Sequence, residues 1–264
     1  MLGLGNIVIK DNDASFNLAS VAGLQVWYDF NTASGAIDDW PNGNISNSNS
    51  YYNSNYDLTV TDGNYRPVAT AAASSTMGKV SLRFDGSDDH LVSDNEFVSA
   101  DACVLSMAIR LTGDLTDSSP DGAISGDTAG LNRFHIYNQN TLQLRFNGTS
   151  SGNNAFTINL NNTDNGTVAY QMVNTDIEVI VLRKDASNNI YVYNKNGDFV
   201  GYLAADANTD KGFGFLTMGG QLGGSPINNA FAGFIGEFAI HNGDPGEATC
   251  KQMAKHLYEK WRAS

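Results

Sequence analysis

The chain has 264 residues, 41% of them apolar and 16% charged, with a formal net charge of −13. That is enough apolar material for a folded core, while so acidic a surface repels phosphate backbones and argues against nucleic acid as a partner. Polarity comes from 31 Asn and 27 Gly rather than from the Ala, Glu, Lys and Leu of long helices, so strands and turns in one all-β unit are expected.

Residues 1–20 hold one small apolar run, Ile7, Val8 and Ile9, ahead of polar residues. The run reads as an arm that docks on a neighbouring chain, or as a stray first strand. No basic stretch followed by a long apolar run marks a secretion signal, and no window approaches the roughly 18 apolar residues of a membrane span. Maturation in a cytoplasm is expected. Strand grammar begins at "LQVWYDF" (24–30), which puts Leu24, Val26, Tyr28 and Phe30 on one face.

Residues 31–67 are the most polar stretch, without a helical or strand period. A connection this long is functional or flexible. Its tyrosines, Tyr51, Tyr52, Tyr56 and Tyr65, are read as exposed candidates for a contact surface, or as pins that hold the loop to the domain. Next comes "RFDGSDDHLV" (83–92), with Asp85, Asp88 and Asp89 closely spaced. Asp and Ser cap turns through their own backbone and Gly86 takes conformations other residues avoid, so a turn is the preferred reading. A metal is the alternative, and calcium is the ion such carboxylates would hold.

Further strands are predicted at 79–84, 90–93, 102–111, 131–137, 141–146, 155–160, 168–173, 176–184, 189–194, 198–204, 213–218 and 231–241. Asn196-Gly197 between two of them supplies the positive φ angles of a tight hairpin turn. Cys103 and Cys250 are expected to be buried free thiols. The last segment changes period: Asp244 is the predicted N-cap, Pro245 the first helical residue, and Cys250, Met253, Leu257, Tyr258 and Trp261 form one apolar stripe. A helix over 245–262 should pack on the β domain.

Sandwich hydrolases need two carboxyl groups across a cleft, about 5 Å or roughly 6.5–9.5 Å apart. No E-x-D-x-x-E run places Glu96, Glu178, Glu237, Glu247 or Glu259 with a second and third carboxylate on one strand, and Glu178 and Glu237 are read as outward-facing. His90, His135, His241 and His256 follow no zinc spacing. Gly219, Gly220, Gly223 and Gly224 lack the Lys-Ser/Thr of a phosphate loop and read as a wide turn. Arg110, Arg133, Arg145 and Arg183 are candidate ion-pair anchors. No enzyme is expected.

The ordered segments "GLQVWYDF", "IDDW", "YDLT", "YRPV", "VSLRFDGSDDHLV", "VLRKDASNNIYVYNKNG", "FAGFIGEFAIHNG" and a final helix ending in Trp resemble the concanavalin A-like, laminin-G-like jelly-roll domains over about residues 24–262. The opening "MLGLGN" resembles marine bacteriophage structural proteins that carry such domains. The resemblance implies an all-β antiparallel jelly-roll β-sandwich with one C-terminal α-helix, made of an arm (1–20) and a domain (21–264). It implies a virion structural protein, assembled in the host cytoplasm, whose partners are other virion proteins or sister subunits. Its jelly roll would display a lectin-like surface to a host glycan through Tyr51, Tyr52, Tyr56 and Tyr65. The alternative is a carbohydrate-binding module or lectin outside any virion, with a glycoside hydrolase a distant third. No cofactor is required, with calcium at Asp85, Asp88 and Asp89 as the one candidate.

Overall fold

A computed structural model of the chain describes residues 16–40, 56–60, 62–95, 102–112, 123–126, 133–138, 141–145, 155–160, 169–174, 176–204, 217–220 and 230–262. The strands, in chain order, are β1 (Leu24–Asp29), β2 (Asp39–Trp40), β3 (Leu58–Thr59), β4 (Val68–Thr70), β5 (Ser81–Asp85), β6 (Leu91–Ser93), β7 (Cys103–Leu111) and β8 (Ala123–Gly126). They continue with β9 (Arg133–Asn138), β10 (Thr141–Arg145), β11 (Ala155–Asn159), β12 (Glu178–Lys184), β13 (Ile190–Tyr193), β14 (Phe199–Leu203), β15 (Thr217–Met218) and β16 (Ala232–Asn242). The helices are α1 (Ala72–Ser75) and α2 (Glu247–Trp261).

Two antiparallel sheets form. One runs β14-β13-β12-β7-β16-β5-β4, with β1 also paired to β16; the other runs β11-β10-β9-β8-β15-β6-β3-β2. Neighbours far apart in sequence, such as β7 between β12 and β16, are the crossovers of a jelly-roll sandwich. The fold is an all-β sandwich with a C-terminal helix, as the sequence implied.

The strand periods sort the core. Along β7, Cys103, Leu105, Met107, Ile109 and Leu111 enter the core between the sheets, where they meet Phe134, Ile136, Leu142 and Leu144 of the opposite sheet. Val104 and Ala108 face the other way, beneath Cys250, Met253, Leu257 and Trp261 of α2. The first sheet is therefore buried on both faces at its centre, which is why its strands read as continuous apolar runs. Cys103 and Cys250 are buried, and neither is in a disulfide. Among the described residues no helix is long and apolar enough to cross a membrane.

Several local expectations are corrected. A register shift between Leu24 and Val26 turns Leu24 away from Val26, Tyr28 and Phe30, so it packs with Trp27 and Ala239 instead. Residues 169–173 form no strand; Tyr170 and Val173 serve Glu178 instead. In the β13–β14 hairpin only Gly197 has a positive φ (+77°), because Asn194 caps the turn by accepting from the N–H groups of Asn196 and Asp198, both at 3.0 Å. Asp244 is not the N-cap of α2. Arg183 grips its carboxylate with two bonds of 2.7 Å, and the helix begins after Gly246, whose N–H donates to Asp244 Oδ1. Short β2, β3 and β4 lie in or just beyond the stretch read as unpatterned.

At the other terminus, Asn17 caps a short 3-10 turn and Leu18 is buried against α2 and the outer sheet face. Residues 1–15, with Ile7, Val8 and Ile9, lie outside the described residues.

Candidate functional site

Strand β5 gives Leu82 and Phe84 to the inter-sheet core, which leaves Arg83 and Asp85 exposed on the outer face. The chain then turns. Asp85 Oδ1 accepts from the N–H of Ser87 (2.8 Å) and of Asp88 (3.3 Å), and Asp89 Oδ2 accepts from the N–H of Asp85 (2.9 Å). Gly86 has φ +82°, and a Cβ there would stand 2.8 Å from that of Ala232. The preferred turn reading of the aspartates thus has its hydrogen bonds. Carboxylate oxygens of Asp85, Asp88 and Asp89 lie within 4.8 Å of one another. Burial, and then the Asp85 charge, push the Asp89 carboxyl up to about 6.

This donor set is all oxygen, the chemistry of a hard cation, although three carboxylates supply at most the lower end of the roughly six to eight oxygens of a calcium shell. Asp85 and Asp89 are, moreover, already committed to main-chain N–H groups. A structural turn accounts for the cluster, and its exposed oxygens remain acceptors for a ligand's hydroxyl groups.

Tyr65 stands beside this turn. Asp62 positions it by a turn in which the Tyr65 N–H donates to the Asp62 carbonyl (2.9 Å). The Tyr65 carbonyl accepts from the N–H of buried His90 (3.1 Å), and the two rings lie 5.8 Å apart at 31°. His90 Nδ1 is 2.8 Å from the Asp88 carbonyl. Tyr65, His90 and the aspartates are therefore one unit at the sandwich edge. Tyr56 is used differently: its carbonyl accepts the Tyr28 hydroxyl (2.7 Å) and its ring packs on the inter-sheet core. Both tyrosines are half-buried rather than exposed, because each pins its loop to the sandwich. Tyr51 and Tyr52 lie outside the described residues.

Glu237 and Glu178, read as outward-facing, are buried. Glu237 takes a hydrogen bond from each of two indoles, Trp27 Nε1 and Trp261 Nε1, both at 2.7 Å. Lys260 Nζ reaches Glu237 and Asp29 at 2.6 Å each. Burial, and next the Glu237 charge, push the Asp29 carboxyl up to about 6. Burial also works against the Lys260 charge, but Glu237 and Asp29 outweigh it and hold the ammonium above its usual range. Glu178 accepts from the Tyr170 hydroxyl and the Val173 N–H, with Lys195 Nζ 3.6 Å away. Burial pushes its carboxyl up. These acids fasten elements together. No local sequence signal marks them, since their partners lie as far as 210 residues away.

No family model matches the chain, and no curated protein matches it. Solved structures do. A tryptophan-to-alanine mutant of HCR/D is similar at TM-score 0.52 and 13% identity over 85% of this chain and 52% of that one, so the chain spans about half its length. The binding domain of Paraclostridial Mosquitocidal Protein 1 follows at TM-score 0.48 and 12% identity, covering 83% and 52%. Domain 4 of AbnA, a GH43 extracellular arabinanase from Geobacillus stearothermophilus, in complex with arabinotriose, is similar at TM-score 0.42 and 14% identity, covering 88% and 98%. At such identities the likeness concerns the fold. The chain is an antiparallel β-sandwich with a C-terminal helix.

Proposed function

We propose that this sandwich is a carbohydrate-binding module without catalytic activity. The observation that carries the reading is the edge unit of Tyr65, His90 and the Asp85–Asp89 turn. A ring held by its neighbours offers an amphipathic surface at small entropic cost, and the carboxylates beside it accept hydroxyl protons. A sugar ring presents both kinds of group.

The use made of the buried acids among the described residues supports the reading without catalysis. A glycosidase needs one carboxylic acid and one carboxylate facing across the scissile bond. Asp29 and Glu237 instead share one ammonium under α2, and Glu178 is closed off by Tyr170. The same reading is favoured over virion display, which rests on the resemblance of "MLGLGN" at residues outside the described set; the solved structures named above lend it nothing. Virion display remains a second setting in which the same module would meet a host glycan.

The test is binding of the full chain to a panel of immobilised oligosaccharides, repeated with Tyr65→Ala. Saccharide binding weakened by that substitution supports the reading. A panel without a binder overturns it.

A further inference from the structure

Five arginines have described side chains. Three are in ion pairs: Arg66 with Asp38, Arg183 with Asp244 and Arg262 with Glu259. Among the described residues Arg83 and Arg110 are in none, although the Arg83 charge acts on the nearby Asp89 carboxyl. Both are cross-strand neighbours of one residue, since Phe234 of β16 pairs with Arg83 of β5 on one side and with Arg110 of β7 on the other. The three share the outer face of the sheet, and one strand spacing on each side puts the two arginine Cα atoms about 10 Å apart. Side chains of that length can converge on a single group between them.

The Arg110 guanidinium carbon lies over the Phe234 ring, 5.6 Å from its centroid. The Arg110 Nε is buried and has no hydrogen-bond acceptor. A buried donor without a partner is costly, and an ion is one of the few things that explains it. Two cations thus lack a direct ion pair among the described residues, on a chain of net charge −13. One row along the same face, exposed Asp85 pairs with Ala232 of β16. The outer face therefore sets two guanidinium groups beside a carboxylate acceptor.

We propose that Arg83 and Arg110, shelved on Phe234, bind the carboxylate of an acidic saccharide while Asp85 accepts hydroxyl protons of the same sugar. This rests on the carbohydrate-binding reading and names its ligand class. Charge complementarity selects a saccharide over an acidic peptide. A uronic or sialic acid carries one carboxylate among neutral hydroxyl donors, which matches alternating guanidinium and carboxylate groups. A run of acidic side chains would meet Asp85, Asp88 and Asp89.

The experiment titrates the full chain with neutral, uronic-acid and sialic-acid-terminated oligosaccharides, then with the carboxyl-reduced form of the tightest acidic binder. Arg83→Gln, Arg110→Gln and Arg110→Lys are measured alongside, with thermal melting to establish folding. Losing a charge-assisted pair should weaken binding about tenfold in each Gln variant and on carboxyl reduction. Arg110→Lys should recover only part, because an ammonium lacks the planar fork. Arg83 is exposed, so its variant tests the site even if Arg110→Gln fails to fold. Acidic binding indifferent to carboxyl reduction or to Arg83→Gln overturns the proposal, as does equal binding of a poly-glutamate peptide. Neutral saccharides binding alone overturn this subsite and leave the carbohydrate reading standing. No saccharide binding at all overturns both.

Discussion

Replacing Lys260 by Met removes an ammonium that bridges two buried carboxylates. The side chains of Asp29 and Glu237 are 0% and 1% exposed, and each lies 2.6 Å from Lys260 Nζ. Breaking a buried pair by deleting one partner costs about 3–5 kcal/mol, because the remaining charge is left uncompensated. At about 2–4 °C per kcal/mol for a chain of this size, the melting temperature should fall by roughly 6–20 °C. The loss should also depend on pH. The Asp29 carboxyl is already pushed up to about 6, above its unfolded value. Between those two values the folded chain binds more protons than the unfolded one, so this group's contribution declines as pH rises through that window. Without Lys260 the window widens upward, and the variant should lose most near pH 8 and least near pH 5. Adding Asp29→Asn should restore part of the stability by removing one of the stranded charges. Differential scanning calorimetry across that pH range decides it. A Lys260→Met variant that melts within about 1 °C of the parent at every pH would refute the buried ion-pair argument.

Three further outcomes are expected. Trp261→Ala should cost about 3–5 kcal/mol in denaturant unfolding, since the ring is fully buried against Gly236 and donates to Glu237; an unchanged midpoint would count against helix docking. Leu18→Ala should cost at least about 2 kcal/mol, since that side chain is buried against α2; an unchanged melting temperature would contradict the docking of residues 16–20. Burial holds His256 below its usual range, so the unfolded chain takes its proton first and this group's contribution is lost as pH falls below about 6.5. His256→Gln should therefore lose less stability than the parent between about pH 7.5 and about pH 5.5, and equal losses would remove the histidine from the account.

What could be read from the sequence was whatever repeats locally. The α2 stripe of Cys250, Met253, Leu257 and Trp261 recurs at helical spacing, and all four are buried. The Asp85–Asp89 turn was legible because its hydrogen bonds close within four residues. Glu237 was not, because its two indole donors come from β1 and from the end of α2, and only the sheet pairing of β1 with β16 brings them together. Asp244 shows the same limit from the other side. Its capping grammar is sound, but Arg183, 61 residues upstream, claims the carboxylate first. Arg83 and Arg110 look unrelated in sequence until β16 lays Phe234 between them.

The central claim is that this sandwich binds a saccharide and leaves it intact. The most direct measurement incubates the tightest-binding oligosaccharide with the full chain, follows complex formation by calorimetry and then analyses the recovered sugar for new reducing ends. The account predicts saturable binding, weakened by Tyr65→Ala, with the oligosaccharide recovered unchanged. Cleavage that disappears on substituting Asp85, Asp88 or Asp89 would contradict it and make the edge turn an active site.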